Sequence, residues 1–154
     1  MRRHFIPEPE LAPDEDELAL QHTLDCLGPI RDHRLGKSQR AYRKEQQKLR
    51  ELEQRHQEQV RHLETKKIEQ VAQKKALNDH HQGRPIDQST LHSWIGEERE
   101  LLAEIEQLKQ TINQLKNALE QQAEQVKKAK LVLEQEQQRH EKWQQMQQWV
   151  KESL

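Results

Sequence analysis

Apolar residues in the second half of the chain recur at alternating steps of three and four, and this pattern constrains the fold more than any other feature. From Leu101 to Leu133 the repeat is apolar at every position except Gln122. A mean step of 3.5 residues is the period of a coiled coil, in which one stripe of a helix packs against another helix. The sequence therefore predicts a helix over about residues 89–152 that needs a helical partner. We call the repeating positions its seam; they are Leu91, Trp94, Glu98, Leu101, Ile105, Leu108, Ile112, Leu115, Leu119, Gln122, Val126, Ala129, Leu133, Glu136, His140, Trp143, Gln147 and Val150.

A helix suited to be this partner is predicted over about residues 35–79. No Pro or Gly interrupts residues 37–82, and most side chains there favour helix. Its contact positions are less regular, and two consecutive steps of four between Leu52 and Val60 predict a local unwinding of the supercoil. The predicted contact positions are Tyr42, Leu49, Leu52, His56, Val60, Leu63, Lys67 and Val71.

The connection between the two helices, residues 80–88, contains Gly83-Arg84-Pro85. Proline interrupts a helix, and a short connection makes neighbouring helices antiparallel. The predicted fold class is therefore all-α, a long antiparallel two-helix coiled-coil hairpin over residues 31–154. In the expected register, Leu101 lies near Val71, Leu115 near His56, Leu119 near Leu52, and Leu133 near Ser38.

Residues 1–30 are predicted to be an acidic N-terminal extension, either disordered or carrying a short helix over residues 14–27. The second long helix is expected to be capped by Ser89 or Thr90. The breakers in the extension are Pro7, Pro9, Pro13 and Gly28-Pro29, and Asp14 is suited to cap the short helix. We expect Gly28-Pro29 to let this helix fold back, so that Leu20, Leu24 and Leu27 cover Trp143 and Met146.

Composition argues against an enzyme. The chain is 31% hydrophobic and 34% charged, which is too polar for a thick globular core. Carboxylates on a two-helix hairpin have no concave pocket to raise their pKa or exclude water, and neither a phosphate-binding loop nor a nucleophile motif occurs. We therefore predict no catalytic residues and no cofactor.

Nine histidines raise the question of a metal site. The densest group, Asp79-His80-His81 with Asp87 and His92, lacks the His-x3-His spacing that aligns two ligands on one helix face. We predict no metal site, and we interpret His56 and His140, which fall on contact positions, as polar residues that set the register.

The first long helix is basic, with fourteen Lys and Arg against seven Asp and Glu in residues 31–75. Such a helix can bind phosphates, but the acids are interspersed and no recognition motif accompanies the bases. We interpret the charge as a solvated coiled-coil flank and predict no nucleic-acid partner. No apolar run approaches the roughly 20 residues of a membrane span, so direct membrane insertion is not expected either.

The tryptophans differ in expected role. Trp94 follows the turn on the seam and is most simply a core residue of the hairpin. Trp143 and Trp149 are equally compatible with packing and with anchoring a partner.

Four segments carry a resemblance to the YscO/FliJ family, the central-stalk proteins of type III secretion and flagellar export ATPases. They are residues 30–35, residues 53–60, the post-turn residues 91–94, and residues 127–143, which end at Trp143. The resemblance covers about residues 29–154. Unlike the typical member, this chain begins with an acidic extension.

The resemblance implies a non-catalytic stalk that couples the hexameric secretion ATPase to the export gate and binds secretion chaperones. It implies a monomer in the cytoplasm, peripherally associated with the inner-membrane secretion apparatus. The alternative from the residues themselves is a generic coiled-coil scaffold or adaptor that forms a dimer. The predicted partner-binding residues are Arg40, Tyr42, Arg43, Leu49, Arg50, His56, Val60, Trp143 and Trp149.

Overall fold

The computed structural model describes residues 15–153 and contains two α-helices, α1 (Glu15–His80) and α2 (Gln88–Ser153). The two helices pack against each other in antiparallel orientation, and no strand occurs among the described residues. The predicted fold class, an all-α helical hairpin, is confirmed. The predicted breakers at Pro7, Pro9 and Pro13 and the Asp14 cap lie outside the described residues.

α1 begins earlier than predicted because it continues through Gly28-Pro29. The predicted break and the separate helix over residues 14–27 are wrong. Pro29 has no N–H to donate to the Asp25 carbonyl, and its ring crowds that carbonyl, at a cost of about 3 kcal/mol. Packing offsets this cost, since Leu24 is only 3% exposed and the Trp143 indole Nε1 donates a 2.7 Å hydrogen bond to the Leu24 carbonyl.

The turn between the helices follows local backbone chemistry. The Arg84 N–H donates to the His81 carbonyl at 3.3 Å, and Gly83 has a φ of 73°, a left-handed conformation that suits glycine. The Leu91 N–H donates to the Asp87 carbonyl at 3.0 Å, which makes Asp87 the N-terminal cap of α2. Ser89 and Thr90, the predicted caps, lie inside the helix because Asp, also a favoured cap residue, precedes them.

Residues 15–44 and 127–153 form one compact unit. Shielded positions on α1 alternate by four and three from Leu24 through Gly28, Arg31, Leu35 and Ser38 to Tyr42. They pack on the last third of the α2 seam, where Val150 is 1% exposed. Polar pairs cross between the helices as well: the Gln147 amide donates to Asp25 at 3.1 Å, and the His140 Nε2 lies 2.9 Å from the Asp32 carboxylate.

Residues 45–126 form the second compact unit. Its buried residues on α2 are Leu101 and Ile105, both on the predicted seam. The Gln122 side-chain amide donates to the Glu45 carbonyl at 2.9 Å and to its carboxylate at 2.6 Å. The one polar residue in the apolar run is thereby paired across the hairpin.

The α1 contact positions near the turn differ from the prediction. Lys67 and Val71 are exposed, and Lys66, Gln70 and Gln73 take their places. A strict alternation of three and four runs through the half-buried residues Glu45, Leu49, Leu52, His56, Gln59, Leu63, Lys66, Gln70, Gln73 and Leu77, and Gln46 and Val60 are half-buried beside it. Because the α2 seam is strictly periodic, the stripe of α1 that faces it must follow the same period, and the predicted irregularity after Leu52 does not shift the contact stripe.

Neither α1 nor α2 contains a stretch of residues apolar and long enough to cross a lipid bilayer.

Candidate functional site

Three arginines among the predicted partner-binding residues point to solvent. Arg40 and Arg43 are exposed in the unit of residues 15–44 and 127–153, and Arg50 is exposed in the unit of residues 45–126. None of them forms an ion pair with another described residue. A guanidinium that is exposed and unpaired is available to a partner's carboxylates.

Four other predicted partner-binding residues are half-buried instead. Tyr42 lies on the contact stripe of its unit, and Leu49, His56 and Val60 lie on or beside that of residues 45–126. The Nε2 of His56 is buried and has no hydrogen-bond partner among the described residues. These side chains stabilise the hairpin, and exposed residues between them form its outer surface.

Trp143 is a packing residue. Its indole donates to the Leu24 carbonyl, lies against Gly28, and has the His140 ring at a centroid distance of 5.5 Å. Trp143 thus packs on α1 at Leu24 and Gly28. The predicted fold-back at Gly28-Pro29 does not occur, because α1 continues through these residues. Met146 is not covered, since half of its surface remains exposed.

Trp149 is the opposite case, because it is 60% exposed. Together with Lys142, Gln145 and Met146 it lines a shallow depression on α2. These residues recur at steps of three and four and so share one side of the helix. An exposed indole beside an exposed thioether is a suitable anchor for a protein partner.

A more apolar groove, which the sequence did not predict, lies beside the turn in the unit of residues 45–126. Its volume is about 310 Å³ and its apolar lining comes from Ala76, Leu77, Leu91, Trp94 and Ile95. The rings of His81 and Trp94 meet edge to face at 4.4 Å, which fixes the indole at the base of the groove. The sequence feature that could have predicted an apolar surface here is the pair Ile95 and Leu102, two apolar residues of α2 that lie off the seam.

Charged groups gather on the other side of this unit, along Glu69, Glu97 and Glu104, which we call the acidic flank. Lys66 lies 3.1 Å from Glu104 and 3.4 Å from Glu69, and the Gln73 amide donates to Glu97 at 3.2 Å. The hydrogen bond to Glu104 raises the pKa of Lys66 above its ordinary 10.5, and attraction to both carboxylates acts in the same direction against desolvation. The acidic flank therefore pairs with two polar contact residues of α1, Lys66 and Gln73, and Gln73 also lines the groove.

The histidines around the turn form an aromatic cluster. His80 and His81 meet at a centroid distance of 4.8 Å, and both lie near Trp94. Within residues 15–153, no three His, Cys, Asp or Glu side chains come together as a metal-binding group.

No family model, no curated protein and no solved structure matches this chain significantly. The resemblance to the YscO/FliJ family accordingly stays a prediction.

Proposed function

We propose that this protein is a non-catalytic central-stalk component of a type III secretion export apparatus. In this role it couples the hexameric secretion ATPase to the export gate and binds secretion chaperones. The observation that supports the proposal most directly is the fold, a hairpin of two 66-residue helices joined by a short turn. A stalk of this kind needs helices that brace each other and a surface that other proteins can contact.

Polar contacts within the hairpin suit such a role. Gln122 with Glu45, in residues 45–126, and His140 with Asp32, in the other unit, link the helices by hydrogen bonds. Polar pairs at contact positions favour one register over its alternatives. A stalk that transmits force benefits from a fixed register, because slippage between its helices would dissipate the movement.

The exposed arginines suit contacts that form and break repeatedly. Each exposed ion pair contributes about 0–1 kcal/mol and is screened by salt. Arg40 and Arg43 can therefore bind carboxylates of an ATPase ring or a chaperone without holding the partner in one position.

The proposal is tested by adding the protein to the secretion ATPase of the same organism and measuring ATP hydrolysis and ring assembly. We expect both to increase. The double variant Arg40→Glu with Arg43→Glu should raise the concentration needed for half the effect, by up to about fivefold for each pair lost. Lys130→Glu, an exposed charge reversal on α2, is the matched control and should leave that concentration unchanged.

Circular dichroism of the variants checks that the helices remain intact. An ATPase whose hydrolysis and assembly do not respond to the wild-type protein would rule out the stalk role. A response that the arginine variant and the control alter equally would remove the arginines from the contact surface.

A further inference from the structure

We propose that the groove beside the turn binds an amphipathic helix of a partner protein, with apolar residues on one face and acidic residues along one edge. This inference concerns a surface outside the predicted partner-binding residues. It does not depend on the assignment to secretion.

The first observation is that apolar and polar residues have exchanged places on α1 beside the groove. The contact positions are Lys66, Gln70 and Gln73, whereas Ile68 and Val71 face solvent, with Val71 67% exposed. A hairpin selected only for its own stability would place these residues the other way round. Departures from the pattern of this kind are expected at functional surfaces.

The second observation is an apolar stripe on α2. Leu91, Ile95 and Leu102 are all exposed, and their spacing of four and seven places them on one side of the helix. Leu91 and Ile95 line the groove directly. On α1, Lys74 also lines it, and Val71 and Lys67 lie three and seven residues earlier on the same side. Leu91 and Ile95 thus border the groove directly, and Leu102 and Val71 extend the apolar surface along the same sides of α2 and α1.

The shape of this surface fits a helix. Apolar side chains at steps of three, four and seven on the hairpin accept matching steps on a partner helix, as in helix-in-groove recognition. The groove lining includes the small Ala76, and Gln73, which also lines it, donates a hydrogen bond to Glu97 on the acidic flank. Trp94, at the base of the groove, supplies a broad apolar surface for an inserted side chain.

Charge identifies the chemistry of the partner. Lys74 lines the groove, Lys67 lies on the same side of α1, and neither forms an ion pair with another described residue. Glu98 is the one acid in the groove lining. Glu69 and Glu104, on the acidic flank, already pair with Lys66. An edge of unpaired lysines along an apolar groove complements an edge of Asp or Glu along an apolar helix.

The test uses designed peptides and the full chain. One labelled helical peptide carries leucines at steps of three and four with glutamates along one edge, and a second carries lysines in place of the glutamates. Fluorescence anisotropy measures binding. We expect the acidic peptide to bind, the basic peptide to bind at least about tenfold more weakly, and the affinity for the acidic peptide to fall with added salt.

Variants locate the site. Val71→Gln with Ile95→Gln should weaken binding of the acidic peptide by about tenfold or more, because both side chains would become buried in the complex. Lys67→Glu with Lys74→Glu should weaken it and reverse the preference between the peptides. Leu131→Gln and Lys130→Glu, equally exposed but outside the groove, are the controls and should bind as the wild type does.

All of these positions are exposed, so the variants should keep the helical circular dichroism signal and unfolding midpoint of the wild type. Equal binding of the two peptides, or equal effects of groove and control variants, would overturn the proposal. Sedimentation that shows a dimer dissolved by Val71→Gln would also overturn it, because a second copy of this chain would then be the occupant.

Discussion

Gly28 permits the close approach of Trp143 to α1. A Cβ added at Gly28 would lie 3.0 Å from Cζ2 of the indole, whereas a Cβ at Gly96 would meet nothing within 4 Å. Alanine favours a helix over glycine by about 0.5–1 kcal/mol, so Gly96→Ala should raise the free energy of unfolding by that amount. Gly28→Ala should instead lower it by about 1 kcal/mol, because the indole must move away from the Leu24 carbonyl that accepts its hydrogen bond. Urea unfolding measures both.

A double-mutant cycle isolates the cause. In a Trp143→Ala background the obstruction is gone, so Gly28→Ala should become stabilising, like Gly96→Ala. If Gly28→Ala and Gly96→Ala stabilise the wild-type protein equally, Trp143 does not rest on Gly28.

Lys66 makes a pH-dependent contribution to stability. Its folded pKa is raised above 10.5, mainly by the hydrogen bond to Glu104. A raised pKa stabilises the folded state fully below the unfolded value, and this stabilisation is lost as the pH rises through the folded value. Glu104→Gln should therefore lower the urea midpoint. The loss should be constant between about pH 7 and 9, because lysine with its ordinary pKa of about 10.4 is fully protonated there, and it should shrink at higher pH.

Lys67→Gln is the matched control for this prediction. Lys67 is the next residue after Lys66, but it is exposed and forms no ion pair with a described residue. This variant should leave the pH dependence of the midpoint unchanged. A difference between Glu104→Gln and wild type that persists undiminished above the folded pKa would show that the carboxylate acts through something other than Lys66.

At the scale of an element, α2 is stabilised by its seam and not by its outer faces. Ile105, on the seam, is 5% exposed, whereas Leu102, one turn earlier, is 44% exposed. Removing a buried aliphatic side chain costs about 2–5 kcal/mol, through lost burial and the cavity left behind. Ile105→Ala should therefore lower the free energy of unfolding by about 2 kcal/mol or more, and Leu102→Ala by less than about 1 kcal/mol.

Chemical denaturation followed by circular dichroism gives both values under one set of conditions. Similar losses for the two variants would mean that Leu102 is as buried as Ile105 in solution, and the register of α2 would have to be revised. Peptide binding by Leu102→Ala gives an independent readout, since this residue lies on the same side of α2 as the groove residue Ile95.

At the scale of the whole molecule, the decisive feature is that the chain reverses direction at the turn, so that α1 and α2 of one molecule pack together. Glu53 and Glu120 are exposed positions on the two helices within residues 45–126. Packed helices have axes about 8–10 Å apart, so spin labels at these positions should be less than about 30 Å apart. The labels would be attached through Glu53→Cys with Glu120→Cys in a Cys26→Ser background.

Dilution with unlabelled protein separates the hairpin from a coiled-coil dimer. The short distance should persist on dilution, and light scattering should give the monomer mass of 18.5 kDa. A short distance that disappears on dilution would mean that the paired helices come from different molecules, which would favour the scaffold alternative.

Both α2 and the existence of the hairpin could be predicted from the residues alone. Every predicted seam position except Leu91 is half-buried or buried, because a strict repeat of three and four leaves one side of a helix free to pack. Gly83 and Pro85 likewise marked the turn through their own backbone chemistry. The exposure of Arg40, Arg43 and Arg50 could also be predicted, since charged residues off the contact stripe point to solvent.

The features in which α1 depends on α2 come from packing between the two helices and could not be predicted from α1 alone. Local propensity places a break at Pro29, but burial of Leu24 and the hydrogen bond from Trp143 to the Leu24 carbonyl outweigh it. The contact residues near the turn are Lys66, Gln70 and Gln73 because the period of α2 selects them, and the sequence of α1 favoured others. The groove and the contrasting roles of Trp143 and Trp149 depend on which side chains meet across the hairpin. The periodicity of one helix does not predict which side chains meet across the hairpin, because packing depends on both helices together.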